Sequence, residues 1–137
     1  MNEAKAAING VREFSDIALI CSFSFDRGTK TMMGVSPAKF ADEVSGFDLA
    51  ALGINCGKSL QDNLACLKEL NASTDLPIWF KPNAGLPELD ATGKATYTVS
   101  PQEMGSHVKD WIANGAKIIG GCCGTSPEHL KSIAASI

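Results

Sequence analysis

The hydrophobic positions along the chain predict helices and strands in regular alternation. A helix over residues 4–14 precedes an apolar strand over 16–25, and three further strand-then-helix units follow. The first half of the strand over residues 16–25 is continuously apolar, which is typical of a strand covered on both faces. Repeated units of this kind predict a parallel sheet and an α/β fold. The later strands are predicted over 49–54, 77–80 and 116–119, and the helices after the four strands begin near residues 36, 59, 100 and 126.

Three of these helices share the same start, a serine that caps the first turn followed by a proline at the first helical position. They begin at Ser36-Pro37, Ser100-Pro101 and Ser126-Pro127. Residues 88–99 are polar and predict a long loop, a feature that often carries function.

The number of strand-then-helix units limits the architecture. No low-complexity linker or block of charge divides the chain, so we expect one domain over residues 1–137. Four units are too few for a closed (β/α)8 barrel, which needs about 250 residues. They fit half of such a barrel or a small open sheet.

Composition and charge narrow the classes of partner. The chain is 45% hydrophobic, which argues against disorder. Its net charge of −3 argues against a nucleic-acid partner. No apolar run reaches the roughly 18 residues that a membrane span needs, and the N-terminus lacks an apolar signal core. We therefore expect neither nucleic acid nor membrane as partner, and a cytoplasmic location.

The five cysteines divide into two groups by position. Cys21 lies within an apolar strand and Cys66 within a helix, where both are expected to be buried packing residues. Cys56 follows the second predicted strand, and the adjacent pair Cys122-Cys123 follows the fourth. In parallel α/β folds this carboxyl edge of the sheet is where ligands bind.

The second group has the composition of a metal site. Three thiolates at one edge supply three ligands of a tetrahedral zinc and leave the fourth position open, as in catalytic sites. Two alternatives stay open on spacing alone: the thiols are small packing residues, or the adjacent pair is a redox switch, although redox pairs usually have Cys-x-x-Cys spacing. Glycines, which permit close backbone approach, flank both positions at Gly53, Gly57, Gly120, Gly121 and Gly124.

Other polar residues carry weaker signals. His107 and His129 lie within predicted helices, away from the strand ends, and are interpreted as structural. Asp26-Arg27 follows the first strand and is interpreted as a solvated turn. Lys81 lies beside the third strand's end without a motif that assigns it a role.

Three segments resemble the homocysteine S-methyltransferase family. Residues 120–129, Gly-Gly-Cys-Cys-Gly-Thr-Ser-Pro-Glu-His, resemble its terminal zinc signature, and residues 53–56, Gly-Ile-Asn-Cys, resemble its other zinc-ligand motif. Residues 82–87, Pro-Asn-Ala-Gly-Leu-Pro, are similar to a segment of the homocysteine-binding domain of cobalamin-dependent methionine synthase. The segments occur in family order, and the resemblance extends from about Ile17 to the C-terminus.

This resemblance implies the second half of a TIM (β/α)8 barrel, strands five to eight, with Zn²⁺ held by Cys56, Cys122 and Cys123. The substrate thiol takes the fourth position, which Asn83 can occupy before substrate binds; the alternative for Asn83 is a local turn residue. The half of the family domain that grips the amino and carboxylate groups of homocysteine is absent. The residues expected to shape the site are Asn55, Gly120, Gly121 and Gly124.

The implied reaction is methyl transfer to a thiol, with homocysteine giving methionine. Zinc keeps the acceptor sulfur as a thiolate, and three cysteinate ligands leave that sulfur nucleophilic. The segment 82–87 favours a methylated corrinoid protein as donor. The alternative is a non-catalytic zinc-binding fragment or subunit. In either case we expect a homodimer or a partner that supplies a complementary half-barrel.

Overall fold

A computed structural model describes residues 1–137 and contains a four-stranded parallel sheet with flanking helices, together with a small separate hairpin. The strands are β1 (Ile20–Phe23), β2 (Ala51–Cys56), β3 (Ile78–Pro82), β4 (Glu88–Leu89), β5 (Ala95–Thr96) and β6 (Ala116–Ile119). The helices are α1 (Asn2–Arg12), α2 (Pro37–Val44), α3 (Leu60–Asn71), α4 (Pro101–Ser106), α5 (Val108–Ala113) and α6 (Pro127–Ala134).

The main sheet has the strand order β1-β2-β3-β6, and every neighbouring pair is parallel. The register aligns Ile54 with Phe80 and Cys56 with Pro82. The predicted parallel α/β fold is therefore confirmed, with four strands where a complete (β/α)8 barrel has eight. The carboxyl ends of all four strands lie at one edge, which is where the cysteine loops begin.

One face of the sheet packs against the helices and forms the core. Along β3, Ile78, Phe80 and Pro82 are buried, whereas Trp79 and Lys81 between them are only half-buried. This alternation has the period of two that a strand imposes on its side chains. The largest fully buried side chains of the core are Trp111, Phe25, Phe40 and Phe80.

The opposite face of the sheet has no second layer over it. Ile118 of β6 is 42% exposed, and Ile20 of β1 is also exposed. Ile17, in the run before β1, is 62% exposed. The expectation that the first strand is covered on both faces is therefore wrong for this chain, because helices pack on only one side of it.

Two predicted elements differ in detail. The helix predicted from Ser100 divides at His107 into α4 and α5. Two residues earlier, at Gly105, α4 packs so closely on Ser132 of α6 that a Cβ would have no room. The polar segment 88–99 contains the hairpin β4–β5 rather than loop alone.

The hairpin turn is stabilised by one carboxylate. Asp90 Oδ1 accepts hydrogen bonds from the N–H groups of Thr92 at 2.8 Å and Lys94 at 3.0 Å. These bonds fix the turn that joins two strands of only two residues each.

The helices are short, and none of the six has both the length and the apolar character that crossing a membrane requires.

Candidate metal centre

Three cysteine side chains converge at the carboxyl edge of the sheet. The Sγ atom of Cys56 lies 3.0 Å from that of Cys122 and 3.7 Å from that of Cys123, and all three sulfurs lie within 4.8 Å of one another. Sulfurs bound tetrahedrally to one zinc at about 2.3 Å are about 3.8 Å apart. The trio therefore fits a zinc ion after a small opening of its shortest pair, and zinc ligation itself stays a prediction.

Cys56 is positioned by a tight turn at the end of β2. Its backbone is left-handed, with φ 58°, and Gly57 follows with φ 89°. A left-handed backbone is uncommon for a residue with a Cβ, so contacts around the turn must hold it. The turn ends the strand and sets the direction of the Cys56 side chain.

The loop that carries the other two thiols is tied to the loop after β3. The N–H of Cys122 donates to the carbonyl of Pro82 at 3.0 Å, and the N–H of Ala84 donates to the carbonyl of Cys123 at 2.9 Å. Within the loop, Gly124 has φ 77°, and a Cβ there would collide with the ring of Tyr97. The loop is thus fixed by backbone bonds on one side and by Tyr97 on the other.

Asn83 lies between the two cysteine loops and is buried. Its Oδ1 accepts a hydrogen bond from the N–H of Cys123 at 3.1 Å, and its Nδ2 donates to the carbonyl of Gly57 at 3.1 Å. Its backbone N–H also donates to the carbonyl of Cys56 at 3.3 Å. Asn83 is therefore more than a local turn residue: it links the two loops, and its role as a fourth ligand stays a prediction.

The residues expected to shape the site lie around its base. Asn55 Oδ1 accepts a hydrogen bond from Ser22 Oγ of the neighbouring strand. Gly53 permits that approach, since a Cβ there would lie 2.7 Å from the Cβ of Ser22. Gly121 faces Thr125 so closely that no side chain fits. These contacts hold the ends of neighbouring elements close together at the segments that carry the thiols.

Lys81 lies near the site but is engaged elsewhere. Its Nζ is 5.1 Å from the centroid of the Trp79 ring, and its carbon chain packs against Gly120. It forms no hydrogen bond to the cysteines.

Two of the three thiols, Cys56 and Cys122, have pKa values shifted in opposite directions. The pKa of Cys56 is raised to about 12, mainly by burial and further by hydrogen bonds to Cys122 and Cys123. Burial also raises the pKa of Cys122, but hydrogen bonds from Cys56 and from the backbone of Cys123 outweigh it and lower the pKa below its ordinary value. The Cys122 thiol therefore loses its proton more readily than the Cys56 thiol.

Cys21, Cys66 and His129 are buried and contact groups other than the three converging thiols. Cys21 and Cys66 are buried in the core, and burial raises the pKa of both thiols. His129 Nδ1 accepts from the N–H of Ser126 at 3.1 Å, and its Nε2 lies 2.9 Å from the carbonyl of Val99. It closes the first turn of α6.

The remaining sequence candidates also lie outside the thiol cluster. His107 stacks on Trp111 with ring centroids 6.1 Å apart, at the junction of α4 and α5. Asp26 accepts from Ser24 Oγ at 2.6 Å, and Arg27 forms an isolated bridge with Lys30 in an exposed turn. None of them shares a hydrogen bond with the cysteines.

One further residue beside the thiols is not among those predicted from the sequence. Asn63 of α3 is buried, and its Nδ2 donates to the carbonyl of Cys56 at 2.6 Å. The available signal was an amide on a helix whose neighbouring positions, Leu60, Leu64 and Leu67, are apolar. A polar side chain on that side must find a partner.

The chain is similar to known proteins along its whole length. The family model described as homocysteine S-methyltransferase matches residues 1–137. A Bacillus subtilis protein named homocysteine S-methyltransferase YbgG is 36% identical over 139 residues, covering 98% of this chain and 43% of that protein. A Mycobacterium leprae methionine synthase is 36% identical over 104 residues, covering 75% of this chain and 8% of that protein.

Solved structures give the same picture. The apo form of the homocysteine methyltransferase MmuM from Escherichia coli superposes with a TM-score of 0.77 at 25% identity, covering 98% of this chain and 46% of that one. Its metallated form has a TM-score of 0.77 and 25% identity, covering 97% of this chain and 40% of that one. The chain therefore spans less than half the length of the relatives it matches.

Proposed function

The chain belongs to the homocysteine S-methyltransferase family, and from this we propose that it supplies the metal half of a zinc-dependent methyltransferase that converts homocysteine to methionine. The observation that carries the proposal is the convergence of Cys56, Cys122 and Cys123 within 4.8 Å at the carboxyl edge of the sheet. The relatives named for homocysteine methylation support the choice of substrate.

The donor set suits this chemistry. Soft thiolates select zinc, and three of them leave one tetrahedral position open. Zinc bound there would keep the acceptor thiol deprotonated at neutral pH. All-sulfur ligation favours alkyl transfer over hydrolysis, because a site that activates water commonly has neutral histidine ligands. In the transfer, a carbon–sulfur bond forms on the acceptor as the methyl group leaves its donor.

Asn83 is proposed as the group that occupies the fourth position before substrate arrives. An amide oxygen has two lone pairs, and Oδ1 of Asn83 accepts one hydrogen bond, from the N–H of Cys123. The side chain is thus already beside the thiols. The sulfur of the substrate would displace the Asn83 side chain from the fourth position, and Asn83 would then only link the two loops.

We further propose that residues 1–137 form a partial homocysteine-binding domain that takes its methyl group from a methylated corrinoid protein. The methionine synthase relatives and the segment 82–87 support that donor. Five cysteines without disulfides suit a reducing compartment, so we place the protein in the cytoplasm.

The proposed site needs a second half-barrel. The chain matches 43% of the Bacillus subtilis relative, and β1 and β6 are free edges of the sheet. Its uncovered face carries Ile20 and Ile118, both exposed. A complementary half-barrel or a second copy of the chain would cover that face and close the edges.

The same features favour a second candidate function, a zinc-binding subunit without activity of its own. The test mixes the zinc-loaded chain with the part of the Bacillus subtilis relative outside the matched region, and supplies homocysteine and methylcobalamin. Methionine that forms in the mixture, but not with the Cys122→Ala variant, supports the enzyme. If the chain binds one equivalent of zinc but no methionine forms, either with the chain alone or in any mixture, the result supports the zinc-binding subunit. Absence of zinc binding contradicts both.

A further inference from the structure

One side chain of α3 reaches the turn that carries Cys56. Asn63 is 1% exposed, and its Nδ2 donates to the carbonyl of Cys56 at 2.6 Å. The next residue, Gly57, lies so close to the Asn63 amide that a Cβ there has no room. Asn63 therefore packs against both residues of the turn.

That turn depends on external support. Cys56 has φ 58°, and a residue with a Cβ keeps a left-handed backbone only where its surroundings hold it. Its carbonyl has two donors, Nδ2 of Asn63 at 2.6 Å and the N–H of Asn83 at 3.3 Å. The bond from Asn63 is the shorter one, and it ties the turn to a helix of the core.

The amide oxygen of Asn63 indicates why an asparagine occupies this position. Oδ1 of Asn63 is buried and has no hydrogen-bond partner. An unpaired buried acceptor lowers stability, whereas a leucine of similar size would carry no such cost. The helix has leucines at neighbouring buried positions, Leu60 and Leu67. The donor function of Nδ2 is what distinguishes asparagine from leucine at this position.

We propose that Asn63 is a positioning residue of the metal centre: it holds the carbonyl of Cys56 so that the left-handed turn directs Sγ toward Cys122 and Cys123. This inference rests on the proposed function, since it concerns the same three sulfurs. The side chain contacts the backbone of the ligand residue and acts through it. Without this bond the turn is free to relax to a conformation that separates the Cys56 sulfur from the other two.

The test compares zinc affinities in the full chain by competition with a chromophoric chelator. Asn63→Leu is expected to bind zinc about 10–100-fold more weakly, the usual effect of losing a group that orients a metal ligand. The absorption spectrum of the cobalt(II)-loaded variant should also lose intensity in its tetrahedral bands. The matched control is Cys66→Ala, a fully buried position on the same helix, which should lower thermal stability and leave zinc affinity within about twofold of the parent.

If Asn63 had a purely structural role, Asn63→Leu would have the same effect as Cys66→Ala: a lower unfolding temperature for the metal-free chain and an unchanged zinc affinity. That result overturns the inference. If Asn63→Leu does not fold, Asn63→Ala removes the same donor and is judged by the same criterion. A parent chain that binds zinc but supports no methyl transfer in any mixture with a complementary half-barrel counts against the proposed function alone, because the affinity comparison needs no turnover.

Discussion

At the residue scale, the five thiols of this chain differ in what surrounds them. Cys21 and Cys66 are enclosed by apolar side chains of the core, whereas the other three face one another at the edge of the sheet. A buried thiol without a polar partner behaves as a small hydrophobic group. Three thiols that face one another have the geometry and the softness to bind a soft cation.

This difference predicts the zinc content of single cysteine variants. Replacing Cys56, Cys122 or Cys123 by alanine should remove most zinc affinity, because two sulfurs cannot hold a tetrahedral ion as three can. Replacing Cys66 by alanine should leave one zinc per chain and lower the free energy of unfolding by about 1 kcal/mol. Metal analysis after gel filtration, with denaturant titration, measures both. Equal zinc loss in the Cys66 variant would show that the two groups are assigned wrongly.

Asn83 should contribute to stability as well as to the site. Asn83→Ala leaves the N–H of Cys123 and the carbonyl of Gly57 without their side-chain partner. We expect the free energy of unfolding to fall by about 1–3 kcal/mol, because the carbonyl of the buried residue Gly57 loses its side-chain partner. Denaturant titration measures the change, with Asn71→Ala, an exposed asparagine at the end of α3, as control. An effect no larger than that of the control contradicts the bridging role.

Sequence reasoning reaches some of these residues and not others, for a physical reason. The convergence of Cys56 with Cys122 and Cys123 is predictable because the ends of parallel strands share an edge. The contact of Asn63 is not predictable, because it depends on the rotation of α3 about its axis and on the left-handed turn at Cys56. Neither leaves a pattern in the hydrophobic positions.

At the element scale, helix starts are more predictable than helix interiors. The side chains of Ser36 and Ser100 accept hydrogen bonds from backbone N–H groups three residues later, as the Ser-Pro pattern predicts. The division between α4 and α5 and the hairpin β4–β5 depend on packing against other elements, which the local pattern does not contain. Local chemistry thus sets where these helices begin, and tertiary contacts set where they break.

The junction of α1 with α2 predicts a dependence of stability on pH. Hydrogen bonds from Lys5 and Lys39 lower the pKa of Glu43 to about 2, below the value of about 4.3 for an unfolded glutamate. Because the folded pKa is the lower one, Glu43 stabilises the fold above about pH 4.3, and this contribution is lost as the pH falls toward 2.

The comparison of the parent chain with Glu43→Gln isolates this effect. The difference in free energy of unfolding should be constant above about pH 5 and should shrink as acid protonates the carboxylate. Denaturant titration at several pH values measures it. A difference that does not change with pH would mean that the ion pairs with Lys5 and Lys39 contribute nothing to stability.

At the scale of the whole molecule, the uncovered face of the sheet is the main departure from a closed fold. Ile17 and Ile118 are exposed, while Leu19 and Ile119 pack partly against the core. Burying a large apolar side chain contributes about 1.5–3 kcal/mol, which is large against a total domain stability of about 5–15 kcal/mol. Such a face and two free edges favour association.

We therefore expect the isolated chain to associate. Light scattering should give a mass of at least twice the 14.4 kDa of one chain. Ile118→Lys on the uncovered face should reduce association, whereas Ile112→Lys on α5 should not, although the two isoleucines have similar exposure, 42% and 39%. A stable monomer that methylates homocysteine would contradict both this expectation and the need for a second half-barrel.

The fold class could be predicted from the order of strands and helices, because alternating units permit few topologies. The pattern of β1 alone does not predict the exposure of the inner face, because an apolar strand has the same sequence whether or not a second layer covers it; the prediction of an uncovered face comes from the number of strand-then-helix units, which fits half of a barrel. Only the number of strands, four in a main sheet that does not close, distinguishes this chain from a complete barrel.

The central claim, that three cysteines hold a zinc ion with one position open, is tested most directly by X-ray absorption at the zinc edge of the loaded chain. Three sulfur ligands at about 2.3 Å and one nitrogen or oxygen ligand are expected around zinc in the parent chain. Each of the variants Cys56→Ala, Cys122→Ala and Cys123→Ala that still retains metal should show one sulfur ligand fewer. Fewer than three sulfurs around zinc in the parent chain would contradict it.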